Sequence, residues 1–243
     1  MGRPPPSPHP DPDGLLLVDK PAGPTSHDVV DAVRRRFGLR KVGHGGTLDP
    51  MATGLLVLLV GRGTKLAERV MASDKVYEGV FRLGVETDTE DVEGRVVVER
   101  DPSGVGADAV QEAMARRRGD LMQTPPMVSA VKHGGQPLYK LARRGQTVER
   151  RPRLIHVYEF AMLGFEPPRV HFRLRCTKGT YVRTLCADIG RELGCGAFLE
   201  SLRRTRSGDL RIEDAAPLDD ILGGDRSALA GRLLPLALLA PPV

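Results

Sequence analysis

The chain has 243 residues and a mass of 26.4 kDa, is 40% hydrophobic and 28% charged, and carries a net charge of +5 with an isoelectric point near 9.3. This length can bury one substantial core or two small ones, and the balance excludes collagen-like, wholly disordered and disulfide-scaffold classes. No apolar run approaches the ~20 residues that span a bilayer, and Met-Gly-Arg-Pro-Pro-Pro at the start lacks the apolar stretch of a secretion signal. A cytoplasmic protein is the expectation. The three cysteines (Cys176, Cys186, Cys195) contain no C-x-x-C pair and the six histidines have no metal-ligand spacing, so neither a disulfide framework nor a bound metal is expected. The basic residues are 29 Arg against 7 Lys. A basic excess suits a polyanionic partner, and a GC-rich coding sequence accounts for the Arg bias equally well.

In chain order, residues 1–13 hold six of the twenty prolines and read as a solvated tail. Leu15–Val18 has the continuous apolar character of a buried strand, stopped by Asp19-Lys20-Pro21-Ala22-Gly23-Pro24. Thr25-x-x-Asp28 resembles a capping box, with Val29, Val33 and Phe37 forming the stripe of a helix that ends at Gly38. A Gly-rich loop, Gly43 to Gly54, leads into a second buried strand, Leu55–Val60. Thr64–Met71 reads as a short helix. Lys75–Gly84 alternates as a strand, with Tyr77, Phe81 and Leu83 facing one way and Glu78 and Arg82 the other. Another strand covers Gly94–Glu99.

Asp108 opens a helix closed by Arg116-Arg117-Arg118-Gly119, with cations at its negative dipole end, so that triplet needs no ligand. Residues 124–152 lack periodicity and carry Lys132, Lys140, Arg143, Arg144, Arg150 and Arg151, as a long basic excursion would. Leu154–Leu163 and Val170–Cys176 alternate as strands. Tyr181–Leu193 is helical with Gly194 as its stop, and Asp209–Ile212 is a last short strand. Strands outnumber helices without alternating with them, which predicts an α+β domain built on a large mixed sheet, mostly antiparallel and flanked by helices.

Two stretches concentrate chemistry. In Gly43-His44-Gly45-Gly46-Thr47-Leu48-Asp49-Pro50-Met51-Ala52-Thr53-Gly54, Pro50 holds Asp49 off helical backbone and the glycines permit close approach of a ligand. No phosphate-loop pattern fits it, and an ordinary Asx-type turn is the plain alternative. In Cys176-Thr177-Lys178-Gly179-Thr180-Tyr181-Val182-Arg183-Thr184, a strand passes into a helix N-terminus. Arg183 opposes the helix dipole there, so a buried carboxylate partner is expected, an exposed and merely tolerated Arg being the alternative. Tyr77 is either a core tyrosine or a ring for a base, and Leu202 is either core beside a solvated basic face or part of a pocket. What these residues permit is a site without cofactor or metal, built on one loop aspartate acting on an electrophile.

Collinear motifs then narrow the reading. Gly14-Leu-Leu-Leu-Val-Asp-Lys20-Pro21-x-Gly23-x-Thr25-Ser26, Gly43-His44-x-Gly46-Thr47-Leu48-Asp49-Pro50-x-Ala52-Thr53-Gly54-Leu55-Leu56 and Lys75-x-Tyr77 come first. Leu83-Gly84-x-x-Thr87-Asp88-Thr89-x-Asp91-x-x-Gly94 and Gln123-x-Pro125-Pro126-x-x-Ser129-Ala130-x-Lys132 follow. Cys176-x-Lys178-Gly179-Thr180-Tyr181-Val182-Arg183-Thr184, Leu193-Gly194-Cys195-Gly196-Ala197 and Leu202-Arg203-Arg204 complete the series. Over residues 14–215 the chain resembles the bacterial tRNA pseudouridine(55) synthases.

That resemblance implies the pseudouridine-synthase catalytic fold over 14–215, an RNA-gripping insertion near 124–152, and a C-terminal extension, 216–243, too short for the PUA domain that family members commonly carry. It implies isomerisation of a T-loop uridine of tRNA by a monomer with no cofactor, no obligate protein partner and no membrane. Asp49 matches the nucleophilic aspartate, with attack at C1′ or at C6 left open, and Arg183 the arginine paired with it. Tyr77 matches the tyrosine stacked on the target base, Tyr181 and Leu202 residues of the uracil pocket, and His44 the histidine that fills the gap left by the flipped nucleotide. A synthase for another RNA, or a noncatalytic tRNA binder or folding aid on the same fold, are the alternatives.

Overall fold

The computed structural model describes residues 12–129, 131–142 and 144–239. The expected Pro-rich tail falls almost wholly outside the described residues, as does Arg143 of the basic excursion. In chain order the elements are β1 (Gly14–Lys20), α1 (Ser26–Arg36), β2 (Val42–His44), β3 (Thr53–Val60), α2 (Ala67–Ala72), β4 (Lys75–Leu83), β5 (Val85–Thr87), β6 (Val96–Glu99), α3 (Ala107–Ala115) and β7 (Gly119–Gln123). There follow β8 (Lys132–His133), β9 (Gln136–Pro137), α4 (Leu138–Ala142), β10 (Arg153–Glu166), β11 (Arg169–Cys176), α5 (Val182–Glu192), β12 (Ala197–Ser207), β13 (Leu210–Arg211), β14 (Ala216–Pro217), α6 (Leu218–Gly223) and α7 (Arg226–Arg232).

Ten of these strands belong to a mixed sheet in the order β14-β1-β3-β12-β4-β11-β10-β7, with β2 on β3 and β13 on β12. This is the α+β class with a large mixed sheet that the strand count predicts. Among the described residues no helix is long and apolar enough to cross a membrane. The chain forms two compact units, one from Met1–Tyr77 with Arg203–Val243 and one from Glu78–Leu202.

In the first unit β1 and β3 pair antiparallel, Leu15 opposite Leu59 and Leu17 opposite Val57, while β14 adds to β1 and β12 to β3 in parallel. Both central strands are apolar at nearly every position because both their faces are buried, which removes the usual alternation. One face forms a core of Leu15, Leu17, Leu55, Val57, Leu59 and Val70, closed by Leu210, Ile212, Leu234 and Leu236. The capping box of α1 forms as its sequence predicts: Thr25 Oγ1 accepts from the Asp28 N–H and the Asp28 carboxylate accepts from the Thr25 N–H. The segment read as a helix from Thr64 opens instead as a 3-10 turn, Gly61–Leu66, before α2.

In the second unit β10 pairs antiparallel with β11 and with β7. Alternation is clean in β11, where Val170, Phe172, Leu174 and Cys176 are buried. The Arg triplet after α3 finds specific partners: Arg116 and Arg117 pair with Glu192, and Arg118 donates to the Phe160 carbonyl. The basic excursion contains the short β8–β9 hairpin and α4 rather than unbroken loop.

Strands β2, β5, β7, β8, β9, β12 and β14 have no counterpart in the sequence reading, and β12 is the longest of them. β12 runs for 11 residues through Ser201-Leu202-Arg203-Arg204-Thr205-Arg206-Ser207, a run whose cations mask its period-2 pattern. The reading of its arginines as a solvated face is corrected at Arg204, which is only 2% exposed.

Candidate active site

Asp49 lies in the first unit, half-buried, in the loop between β2 and β3. The backbone around it is fixed by three buried side chains. Lys20, fully buried at the end of β1, donates from Nζ to the carbonyls of Pro21, Pro24 and Pro50 at 2.8, 2.8 and 3.1 Å. Three ammonium donors suit three carbonyls, so one cation ties the Pro21–Pro24 turn to the residue after Asp49. Ser26, at the start of α1, takes the Leu48 N–H at 2.8 Å and returns its hydroxyl to the Leu48 carbonyl at 3.1 Å. Arg204, from β12, donates to the carbonyls of Leu55, Thr47 and Gly46 at 2.7, 3.3 and 3.2 Å. The backbone on both sides of Asp49 is thus bonded into the body of the unit, leaving the carboxylate on a segment with little freedom to move.

Two glycines permit this arrangement. Gly54 has φ +95°, and a Cβ there would overlap the Arg204 backbone. Gly45 lies against Val70, which a Cβ would penetrate, and its N–H bonds the Val57 carbonyl at 2.8 Å. His44 stands at the start of the same loop. Burial, then the positive charges of Arg204 and His27, hold its imidazole below the usual pKa and so neutral. Tyr77, in the same unit, is 9% exposed in β4.

Arg183, Tyr181 and Leu202 lie in the second unit. Leu202 is buried in β12. Arg183 occupies the first turn of α5 at 4% exposure. It donates from Nη1 to Asp91 at 3.3 Å, a carboxylate 2% exposed, and from Nη2 to the Val128 carbonyl at 2.6 Å. The buried carboxylate expected from its unfavourable dipole position is therefore present.

Asp91 is itself held by the Thr89 hydroxyl at 2.5 Å and the Glu93 N–H at 3.1 Å, while its carbonyl takes the Thr87 hydroxyl at 2.7 Å. Gly94 closes this turn where a Cβ would strike Thr89 and Asp88. The Thr87–Gly94 motif is, physically, a cradle for one carboxylate. Glu90 beside it accepts from Thr184 at 2.6 Å and pairs with Arg191, and burial raises its pKa. The guanidinium of Arg183 also stands 5.8 Å from the Tyr181 ring centre.

The structure brings His44 and Asp49 into one clamped loop, and places Tyr181 and Arg183 together at the start of α5. Lys20, Ser26 and Arg204 were not singled out by residue chemistry, although all three lie within the quoted motifs. Their signal is a cation or hydroxyl inside an apolar or turn motif with no evident use. Among the described residues no group of three or more His, Cys, Asp or Glu side chains is disposed to hold a metal ion.

The fold has counterparts among solved structures. The chain aligns with a chain of the crystal structure of a Cbf5-Nop10-Gar1 complex with TM-score 0.73 and 31% identity, covering 93% of this chain and 61% of that one. A chain of an H/ACA RNP bound to a substrate RNA containing 2'-deoxyuridine aligns with TM-score 0.65 and 30% identity, over 86% and 52% of the two chains.

Residues 34–182 match the family described as TruB family pseudouridylate synthase (N terminal domain), and residues 183–239 match the tRNA pseudouridylate synthase B C-terminal domain. The tRNA pseudouridine synthase B of Opitutus terrae is 48% identical over 95% of this chain and 96% of its own length. That of Syntrophotalea carbinolica is 50% identical over 86% and 68%. The chain belongs to the TruB family of pseudouridylate synthases.

Proposed function

We propose that this protein converts the uridine at position 55, in the T-loop of tRNA, to pseudouridine, with Asp49 as the nucleophile. Asp49 bonds transiently to the substrate and is released again. The N1–C1′ glycosidic bond breaks, the uracil turns and C5 bonds to C1′. The proton that C5 gives up is balanced by one taken up at N1, so the product is an isomer of the substrate. No group donor or electron acceptor enters that balance. The observation that carries the reading is the clamping of the Asp49 loop by Lys20, Ser26 and Arg204, because a nucleophile gains most when its backbone cannot drift.

The remaining roles follow the family resemblance and suit the surroundings of each residue. Arg183 supplies the positive charge that keeps the nucleophile ionised. The Tyr77 ring stacks on the extruded uracil, recovering ~1–3 kcal/mol of the few lost on flipping. Tyr181 and Leu202 line the uracil pocket, and neutral His44 fills the gap in the stack. The basic segment 124–152 grips tRNA through phosphates, which makes binding fall steeply with salt.

The test incubates the protein with an unmodified tRNA transcript and no additive, then maps pseudouridine along the chain. Product at position 55, absent when the T-arm stem-loop is deleted, is expected. Equal product on RNA without that stem-loop contradicts the substrate assignment.

A further inference from the structure

We propose that Gln123 is a positioning residue for the reaction, acting through the backbone of Tyr181; the inference rests on the reading above that Tyr181 and Arg183 serve the substrate. Tyr181 is the N-cap of α5, yet its own side chain makes no capping bond, and tyrosine is a poor cap on chemical grounds. Its backbone is instead gripped from β7. Gln123 Oε1 accepts the Tyr181 N–H at 2.8 Å and Gln123 Nε2 donates to the Tyr181 carbonyl at 3.0 Å. The side-chain amide thus copies one rung of a β-ladder, and Tyr181 has the extended conformation such a rung needs, with φ −95° and ψ 104°. The same carbonyl also takes the Leu185 N–H at 3.2 Å, the first bond of the helix.

The clamp is mounted on rigid structure. Gln123 is 5% exposed and ends β7, whose register with β10 is fixed through Leu121 opposite Ile155 and Met122 opposite Leu154. The turn leading into α5 is tied down a second time, to β10, by the Thr177 N–H to the His156 carbonyl and the His156 N–H to the Thr177 hydroxyl. Gln123 therefore sets where the Tyr181 ring stands and, two residues on, where the Arg183 guanidinium enters.

Only a side chain with one donor and one acceptor at this reach can do it. Glutamate accepts but does not donate, methionine does neither, and asparagine is one methylene short.

The experiment measures single-turnover pseudouridine formation on an unmodified tRNA transcript, tRNA affinity and thermal midpoint for wild type, Gln123→Met and Gln123→Glu. We expect a rate ~10–100-fold below wild type, with tRNA affinity unchanged within about threefold.

The glutamate variant carries the specific signature. A protonated carboxyl has the amide's donor and acceptor, and a buried carboxyl protonates readily. Its rate relative to wild type therefore rises as pH falls from about 8 to about 5.5. That variant keeps the shape of glutamine, so it serves should Gln123→Met fold poorly. Wild-type rates in both variants overturn the inference, as does a loss that tracks only a fallen midpoint and ignores pH. Tyr181→Leu and Arg183→Lys, run alongside, separate the two levels: if both are silent the underlying site reading fails, and if both are impaired while Gln123 variants are not, only this inference fails.

Discussion

The Asp49 loop of one unit and the Arg183 cradle of the other solve the same problem with opposite chemistry. Around Asp49, buried cations donate to neutral backbone carbonyls: Lys20 to three and Arg204 to three. Around Arg183, the fixed partner is a full charge, Asp91, itself held by a hydroxyl and a backbone N–H. The first arrangement immobilises a backbone and leaves a carboxylate on it. The second immobilises a cation directly. Removing an anchor consequently has different effects: it strands backbone dipoles in the loop, but takes a full charge out of a buried ion pair in the cradle.

Four substitutions sharpen that contrast, and none has a larger effect than the one in the cradle. Asp91→Ala removes a buried carboxylate from the Arg183 guanidinium and lowers stability by about 3 kcal/mol in urea unfolding. A loss below 1 kcal/mol would mean that Arg183 re-pairs without strain. Arg204→Met keeps volume but strands three carbonyls, for about 3 kcal/mol. Its activity falls further than its stability accounts for, because the loop loosens. Gly54→Ala forces a Cβ into the Arg204 backbone at a positive φ and costs about 2 kcal/mol; an unchanged midpoint would contradict the close approach.

The smallest effect is the titration of His44. Its folded pKa is depressed, so between that value and the unfolded value of about 6.5 the unfolded state binds more protons. Stability attributable to this residue is therefore present above pH 6.5 and is lost as pH falls through that window. Unfolding of His44→Gln measured against wild type from pH 7.5 to about 5 isolates the effect as a shallower loss on acidification.

Much of this was legible in the chain because local signals agreed with the tertiary outcome. The capping box at Thr25, the doubly buried β1 and β3, and the alternation of β11 each follow from residue type and spacing alone. β12 did not, because Arg203, Arg204 and Arg206 make it polar on its face, and burial of Arg204 depends on carbonyls about 150 positions away in sequence. The same limit applies to the site. Asp49 is visible as a carboxylate held off helix by Pro50, and Arg183 as a cation at the wrong helix end. Lys20, Ser26, Arg204 and Gln123 act through backbone groups, and a backbone partner carries no sequence signal of its own.

The central claim is that the carboxylate of Asp49 performs the chemistry and the clamps merely hold it. Asp49→Asn keeps size and shape but removes the nucleophilic charge. Single-turnover assay of that variant on unmodified tRNA, beside its tRNA affinity, is the most direct test. The account predicts no detectable pseudouridine with affinity within about threefold of wild type; pseudouridine formed at a rate near that of wild type would contradict it.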